Sequence, residues 1–284
     1  MPVGGWLAAL LVGLFAGAVS GLVGIGGGAI MVPFLYFFLA RSGLSGTAVP
    51  LETQAVVAHA TSLLVIVPTS VRGAWLYHRE GLVEWDAVWR MGVASVIAAV
   101  LGARVAVAVP GPLLKLAFGL FLLVIAARLA GRRRGPAEDD DAAAPGAIRR
   151  GPALAGGAAV GFFSALLGVG GGLVAIPVLI YALRVSMRRV SGTSLALITF
   201  TALTGAIAYA VSGWYDAGAA AGLLGYFQLP AALALAVGAF LAVPVGTNLQ
   251  LRLPTHALRL VIAIVFVLLG ARIAIGNLLH LLPL

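Results

Sequence analysis

From Trp6 to Ala40 the chain carries no charged residue. As one straight helix, at about 1.5 Å per residue, this run would measure roughly 52 Å, against a membrane hydrocarbon core of about 30 Å. It is too long for a single crossing and too short for two full ones. Gly24, Gly26, Gly27 and Gly28 divide it near its middle. The sequence therefore predicts a hairpin of two short helices whose turn lies inside the membrane. Irregular backbone survives at that depth only where it is buried in protein or lines a polar cavity.

The same construction occurs twice. A shift of 144 residues superposes GAVSGLVGIGGGAIMVPFL (17–35) on GFFSALLGVGGGLVAIPVL (161–179), with nine identities in nineteen positions. Ser20 falls on Ser164, Gly24 on Gly168, and Gly26, Gly27 and Gly28 on Gly170, Gly171 and Gly172. Further on, a shift of 132 places Thr61, Ser62, Leu63, Gly73 and Tyr77 on Thr193, Ser194, Leu195, Gly205 and Tyr209. The shift then returns to 144, where Gly102 matches Gly246, Pro110 matches Pro254 and Leu116 matches Leu260. The chain is a duplication: a first transmembrane repeat (1–130), a charged linker (131–152) and a second transmembrane repeat (153–284).

With 62% hydrophobic and 10% charged residues, this is a polytopic membrane protein, far from the soluble range of about 45–50% apolar and 25% charged. The first apolar run is long and has no positive charge before it, so it reads as a retained membrane segment and not as a cleaved signal. The chain has no cysteine and four histidines, which removes disulfides and thiolate metal sites and argues against a metalloenzyme. No cofactor is expected. A net charge of +9 suggests nucleic acid at first sight, but the arginines sit in loops beside apolar spans, where the positive-inside rule accounts for them.

Charge also orients the chain. The linker holds Arg132, Arg133, Arg134, Arg149 and Arg150 and is expected in the cytoplasm, with spans of about 52–77, up to 109, and 113–129 before it. If the second glycine motif is a hairpin, the chain returns to the cytoplasm at 184–189, which carries Arg184, Arg188 and Arg189. It then crosses to a segment, 213–225, without Lys or Arg. A hairpin plus three spans crosses an odd net number of times, so the expected fold is all-α with two inverted repeats, each a broken, re-entrant glycine-turn hairpin and three transmembrane helices. A parallel four-plus-four arrangement is the alternative.

Several motifs bear on chemistry. GIGGGA (24–29) formally satisfies the dinucleotide fingerprint but lacks the preceding strand and soluble βαβ unit which that fingerprint needs. In a membrane turn, clustered glycines instead permit positive φ and leave backbone N–H groups uncovered, with the positive end of a following helix dipole behind them. That arrangement suits a small anion. Close helix packing is the competing use of small residues. The duplicated hydroxyls Thr61, Ser62, Thr193 and Ser194, with Ser20 and Ser164, are candidates to line the same site. His59 has no duplicate and is a candidate coupling residue for a proton, because intramembrane ionisable groups are functional candidates. The spans of the second half hold no acidic residue, which argues against a cation substrate.

The duplicated S-x-x-x-G-x-G-G-G-x-x-x-x-P, present as SGLVGIGGGAIMVP and SALLGVGGGLVAIP, resembles the TauE/SafE sulfite exporter family. The TSL at Thr61 and Thr193, the GAWLYHREGLVEWD segment from Gly73 and the GARVA at Gly102 support the resemblance. It covers the chain apart from the linker. It implies secondary transport of sulfite, a sulfonate or another small organosulfur or organic anion, in the direction of export, across a bacterial cytoplasmic (inner) membrane. The inverted-repeat architecture is expected to work by alternating access, with a proton or sodium ion as coupling partner and the lipid bilayer as surroundings. An anion channel is the alternative function.

Overall fold

The computed structural model describes residues 1–131, 148–215 and 223–252, with the side chains of 125–131 excepted. Most of the expected linker and the segment bearing Pro254 and Leu260 lie outside the described residues.

The first half consists of α1 (Val3–Val23), α2 (Gly28–Leu39), the short α3 (Ser42–Ser45), α4 (Gln54–Arg79), α5 (Trp85–Ala108) and α6 (Gly111–Gly131). The second contains α7 (Arg150–Leu167), α8 (Gly172–Pro177) running into a π-helical turn (Val178–Ala182), α9 (Met187–Tyr215) and α10 (Leu229–Arg252). α7 begins at Arg150, slightly inside the segment expected to be linker. Among the described residues, six helices of 18 to 29 residues are long and apolar enough to cross a membrane: α1, α4, α5, α7, α9 and α10. The protein is an all-α, multi-pass membrane protein. Leu7, Leu11, Phe15, Val93, Ile97 and Leu101 point outward from α1 and α5, as lipid-facing side chains do.

Each hairpin breaks where the glycines cluster. α1 ends in the left-handed Gly24, whose N–H closes on Ser20 O at 2.8 Å. α2 starts after the left-handed Gly27 and α8 after the left-handed Gly171. Pro33 is accommodated inside α2, whereas its counterpart Pro177 ends α8 and the helix continues in the π register, with Leu183 N–H bonding Val178 O.

The halves are interwoven, and their contacts recur with the halves exchanged. Tyr77 donates its hydroxyl hydrogen bond to Gly21 O (2.6 Å), and Tyr209 donates to Ala165 O (2.9 Å). Glu84 N–H donates to Thr193 Oγ1 (2.9 Å), and Gln228 N–H donates to Thr61 Oγ1 (3.1 Å). Gly13, Gly17 and Gly21 of α1 press on Leu235, Ala239 and Val243 of α10, so these helices run parallel. Gly157 and Gly161 of α7 press on Met91 and Ser95 of α5 in the same sense. Small residues let these backbones touch, which is how helices associate tightly without a hydrophobic driving force.

α4 and α9 are corresponding helices of the two halves, and they run antiparallel. Gly73 packs on Leu195, Gly205 packs on Leu63, and Gly192 packs on Tyr77. On one side of the bundle Arg189 forms an ion pair with Glu84 at 2.8 Å, joining the start of α9 to the α4–α5 loop. On the other side Gln228 donates to Ser45 O at 3.2 Å, joining the start of α10 to α3.

Candidate functional site

The two glycine turns meet. A β-carbon placed on Gly28 would fall 2.6 Å from Val169 Cα, and one on Gly172 would fall 2.5 Å from Ile25 Cα. Each turn therefore abuts the other through the start of its second helix. In each, three residues are left-handed: Gly24, Gly26 and Gly27 (φ 80°, 82° and 78°), and Gly168, Gly170 and Gly171 (φ 67°, 79° and 90°). Only glycine adopts that conformation routinely, which is why the cluster cannot be replaced by other small residues.

Several carbonyls in and beside these turns are paired, whereas the amides at their centres are not. Gly21 O accepts from Tyr77, Val23 O from Ser191 (3.1 Å) and Gly24 O from Ser194 (2.7 Å). In the second turn Ala165 O accepts from Tyr209 and Gly170 O from Thr201 (3.0 Å). By contrast, the amides of residues 25–29 and 169–173 find no acceptor among the described residues, although every one of these residues is buried. Helix N-termini normally expose unpaired N–H groups, but buried ones need a partner.

Among the described residues, three hydroxyls share that condition. Ser20, Ser62 and Ser164 are fully buried and their Oγ atoms have no hydrogen-bond partner. Ser164 lies on the second turn, its Cβ 3.1 Å from a β-carbon built on Gly171. Ser194, the counterpart of Ser62, is bonded to the first turn through Gly24 O.

The duplicated threonines are placed differently. Thr193 Oγ1 donates to Arg189 O at 2.7 Å while accepting from Glu84 N–H, and Thr61 Oγ1 accepts from Gln228 N–H. Both hydroxyls tie the start of a long helix to the loop of the other half.

His59 packs against the second turn, with its Cα 2.5 Å from a β-carbon built on Gly168. Ser191, the residue at the corresponding position of the second half, packs against Gly24 in the same way. The histidine Nε2 pairs with Tyr36 Oη, and its ring neighbours Phe118. Nδ1 makes no well-formed hydrogen bond, although the Leu166 carbonyl is close enough to interact with it.

Two residues that the sequence reading passed over complete the centre. The side chains of Ile66 and Ile198 both lie within 3.4 Å of β-carbons built on Gly26 and on Gly170. Their signal was available, because the two isoleucines correspond at the same shift of 132 as Thr61 and Thr193. Two apolar grooves open on the outer surface: one of about 780 Å³ beside Pro68, and one of about 340 Å³ beside Phe200. Neither is lined by a residue of the turns.

The fold and its paired turns define a two-repeat, multi-pass helical membrane protein. The model of the sulfite exporter TauE/SafE family matches residues 9–273, and the chain belongs to that family. It is 25% identical to the probable membrane transporter protein YunE of Bacillus subtilis, covering 93% of this chain and 95% of that one. It is 26% identical to a probable membrane transporter protein of Methanocaldococcus jannaschii, over 92% of each chain. A probable membrane transporter protein of Haemophilus influenzae is also 26% identical, over 89% of this chain and 92% of its own. The protein is a membrane transporter of the TauE/SafE type.

Proposed function

We propose that the protein is a secondary transporter that exports a small anion, such as sulfite, a sulfonate or another organosulfur or organic anion, across the cytoplasmic membrane. The observation that carries this reading is the apposition of two glycine turns whose buried amides find no acceptor among the described residues, with the unpartnered hydroxyl of Ser164 beside the second. A small oxyanion is all acceptor, and it supplies what these amides and the hydroxyls of Ser20, Ser62 and Ser164 lack.

In this reading the halves are inverted across the membrane. The antiparallel pairing of α4 with α9 supports it, as does the Glu84–Arg189 ion pair, which gathers the arginine-rich segment 184–189 on the side of the α4–α5 loop. Alternating access then rocks one half against the other about the turns. His59 is the candidate for proton coupling, since it is the ionisable group on the turns that the second half lacks.

A thermal-shift panel on the purified protein tests the substrate class. Sulfite, sulfate, thiosulfate, taurine and acetate are compared, with choline as the cation control. An anion at about 100 times its dissociation constant should add roughly 2.7 kcal/mol to stability. Stabilisation by choline and by no anion would overturn the reading. In liposomes, flux that follows a proton or sodium gradient marks a transporter, whereas purely electrodiffusive current marks a channel.

A further inference from the structure

We propose that Lys115 forms, with Gln54, Tyr36 and His59, an anion subsite on the non-cytoplasmic side of the Gly168 turn, through which the substrate leaves the turn during export. The proposal rests on the anion-transport reading above and deepens it.

Lys115 stands in the first turns of α6, half-buried, and its Nζ donates to Gln54 Oε1 at 3.2 Å. Gln54 is itself buried, and its amide nitrogen is held by Val49 O at 3.2 Å, which turns its oxygen toward the lysine. The ammonium lies 5.4 Å from the centre of the Tyr36 ring. Tyr36 pairs with His59, and Phe118, one helical turn beyond Lys115, packs edge-on against Tyr36 and beside His59. A lysine that merely snorkels carries its charge outward to water. This one points inward, along a polar file that ends on the glycine turn.

The charge is not neutralised. Among the described residues only Arg90–Asp86 and Arg189–Glu84 form ion pairs, and no carboxylate lies within 4 Å of Lys115. A half-buried ammonium with N–H donors to spare favours an anion beside it, more strongly than an exposed one would. His59, fully buried with Nε2 on Tyr36 and the Leu166 carbonyl beside its ring, carries the file to the second turn. Gln54 and His59 are five residues apart on α4, about 7.5 Å of helical rise, so the step from the lysine to the turn is short. The duplication puts a cation, Arg259, at the sequence position corresponding to Lys115.

The absence of native cysteine makes the test specific. Lys115→Cys is reconstituted in liposomes and radiolabelled sulfite flux is measured, with monodispersity as the check on folding. The thiol is then modified with 2-aminoethyl methanethiosulfonate, which restores a positive charge, or with the 2-sulfonatoethyl reagent, which installs a negative one. The expected result is a loss of about tenfold in kcat/KM, the size of a lost hydrogen bond to a charged group. The amine reagent should restore it, the sulfonate reagent should not, and Lys115→Arg should keep most of the activity. Wild-type kinetics in Lys115→Cys, or equal effects of the two reagents, overturns the subsite while leaving the transport reading intact. Absence of flux in the wild type for sulfite, thiosulfate, taurine and acetate alike overturns that reading and the subsite with it.

Discussion

Ile66 of α4 and Ile198 of α9 converge on both glycine turns, each placing side-chain carbons within 3.4 Å of where a β-carbon on Gly26 or Gly170 would lie. They occupy corresponding positions on two antiparallel helices, so the pair closes the centre of the molecule from both halves at once. In the proposed transport cycle, an anion moving between the turns would have to part them.

Truncating the pair should therefore open a leak. Ile66→Ala and Ile198→Ala are each expected to cost about 2–5 kcal/mol of stability, as buried Ile-to-Ala changes do. The double variant should also pass anions without a counter-ion gradient. Efflux from loaded proteoliposomes, with and without the gradient, checks this; gradient-dependent flux in the double variant would show that the isoleucines do not seal the path.

The tyrosines that cap the ends of α1 and α7 should behave as a matched pair. Tyr77→Phe leaves Gly21 O without its donor and Tyr209→Phe does the same for Ala165 O, both in fully buried surroundings. Each is expected to lower stability by about 1–3 kcal/mol, the cost of an unsatisfied buried acceptor. Thermal unfolding in detergent measures it, and the two losses should be similar because the contacts repeat.

Glycines that look alike in sequence should respond differently to alanine. Gly161 presses directly on the Ser95 backbone, so Gly161→Ala forces α5 and α7 apart and should destabilise the protein by about 1–3 kcal/mol. Nothing lies within 4 Å of a β-carbon built on Gly92, so Gly92→Ala should be neutral or stabilising by up to about 1 kcal/mol through helix propensity. Thermal unfolding of the two variants separates a packing glycine from an incidental one.

For the threonines, Thr61→Val and Thr193→Val each remove the acceptor of a loop N–H from the other half. The expected outcome is a loss of about 1–3 kcal/mol of stability with an unchanged ranking of anions in the thermal-shift panel. A changed ranking would put these hydroxyls in the substrate path.

Much of this architecture was legible before any coordinates. The excess length of the first apolar run and its glycine cluster located the break between α1 and α2, and the duplication located its counterpart between α7 and α8. The return of the chain at 184–189 followed from three arginines, and the Glu84–Arg189 pair fits it. What was not legible is non-local. That α1 packs on α10 and α7 on α5 depends on glycine backbones meeting across more than 60 residues of sequence, which no periodicity reveals. The threonines illustrate the same limit: their recurrence marked them, but their partners are backbone amides of residues 84 and 228. Within the turns, sequence predicted uncovered amides; that the carbonyls of Gly21, Val23 and Gly24 would be capped by Tyr77, Ser191 and Ser194 required the assembled helices.

The central claim is that the two turns together hold one anion. Radiolabelled sulfite flux into proteoliposomes, compared among the wild type, Gly26→Leu and Gly170→Leu, tests it most directly, with monodisperse gel filtration as the check that each variant is folded. Each leucine would drive into Ile66 and Ile198 and would itself be held in the left-handed conformation that glycine adopts there. The account predicts that either substitution alone lowers flux by at least about tenfold, the loss of one or more charge-assisted hydrogen bonds. Wild-type flux in either folded variant would contradict it.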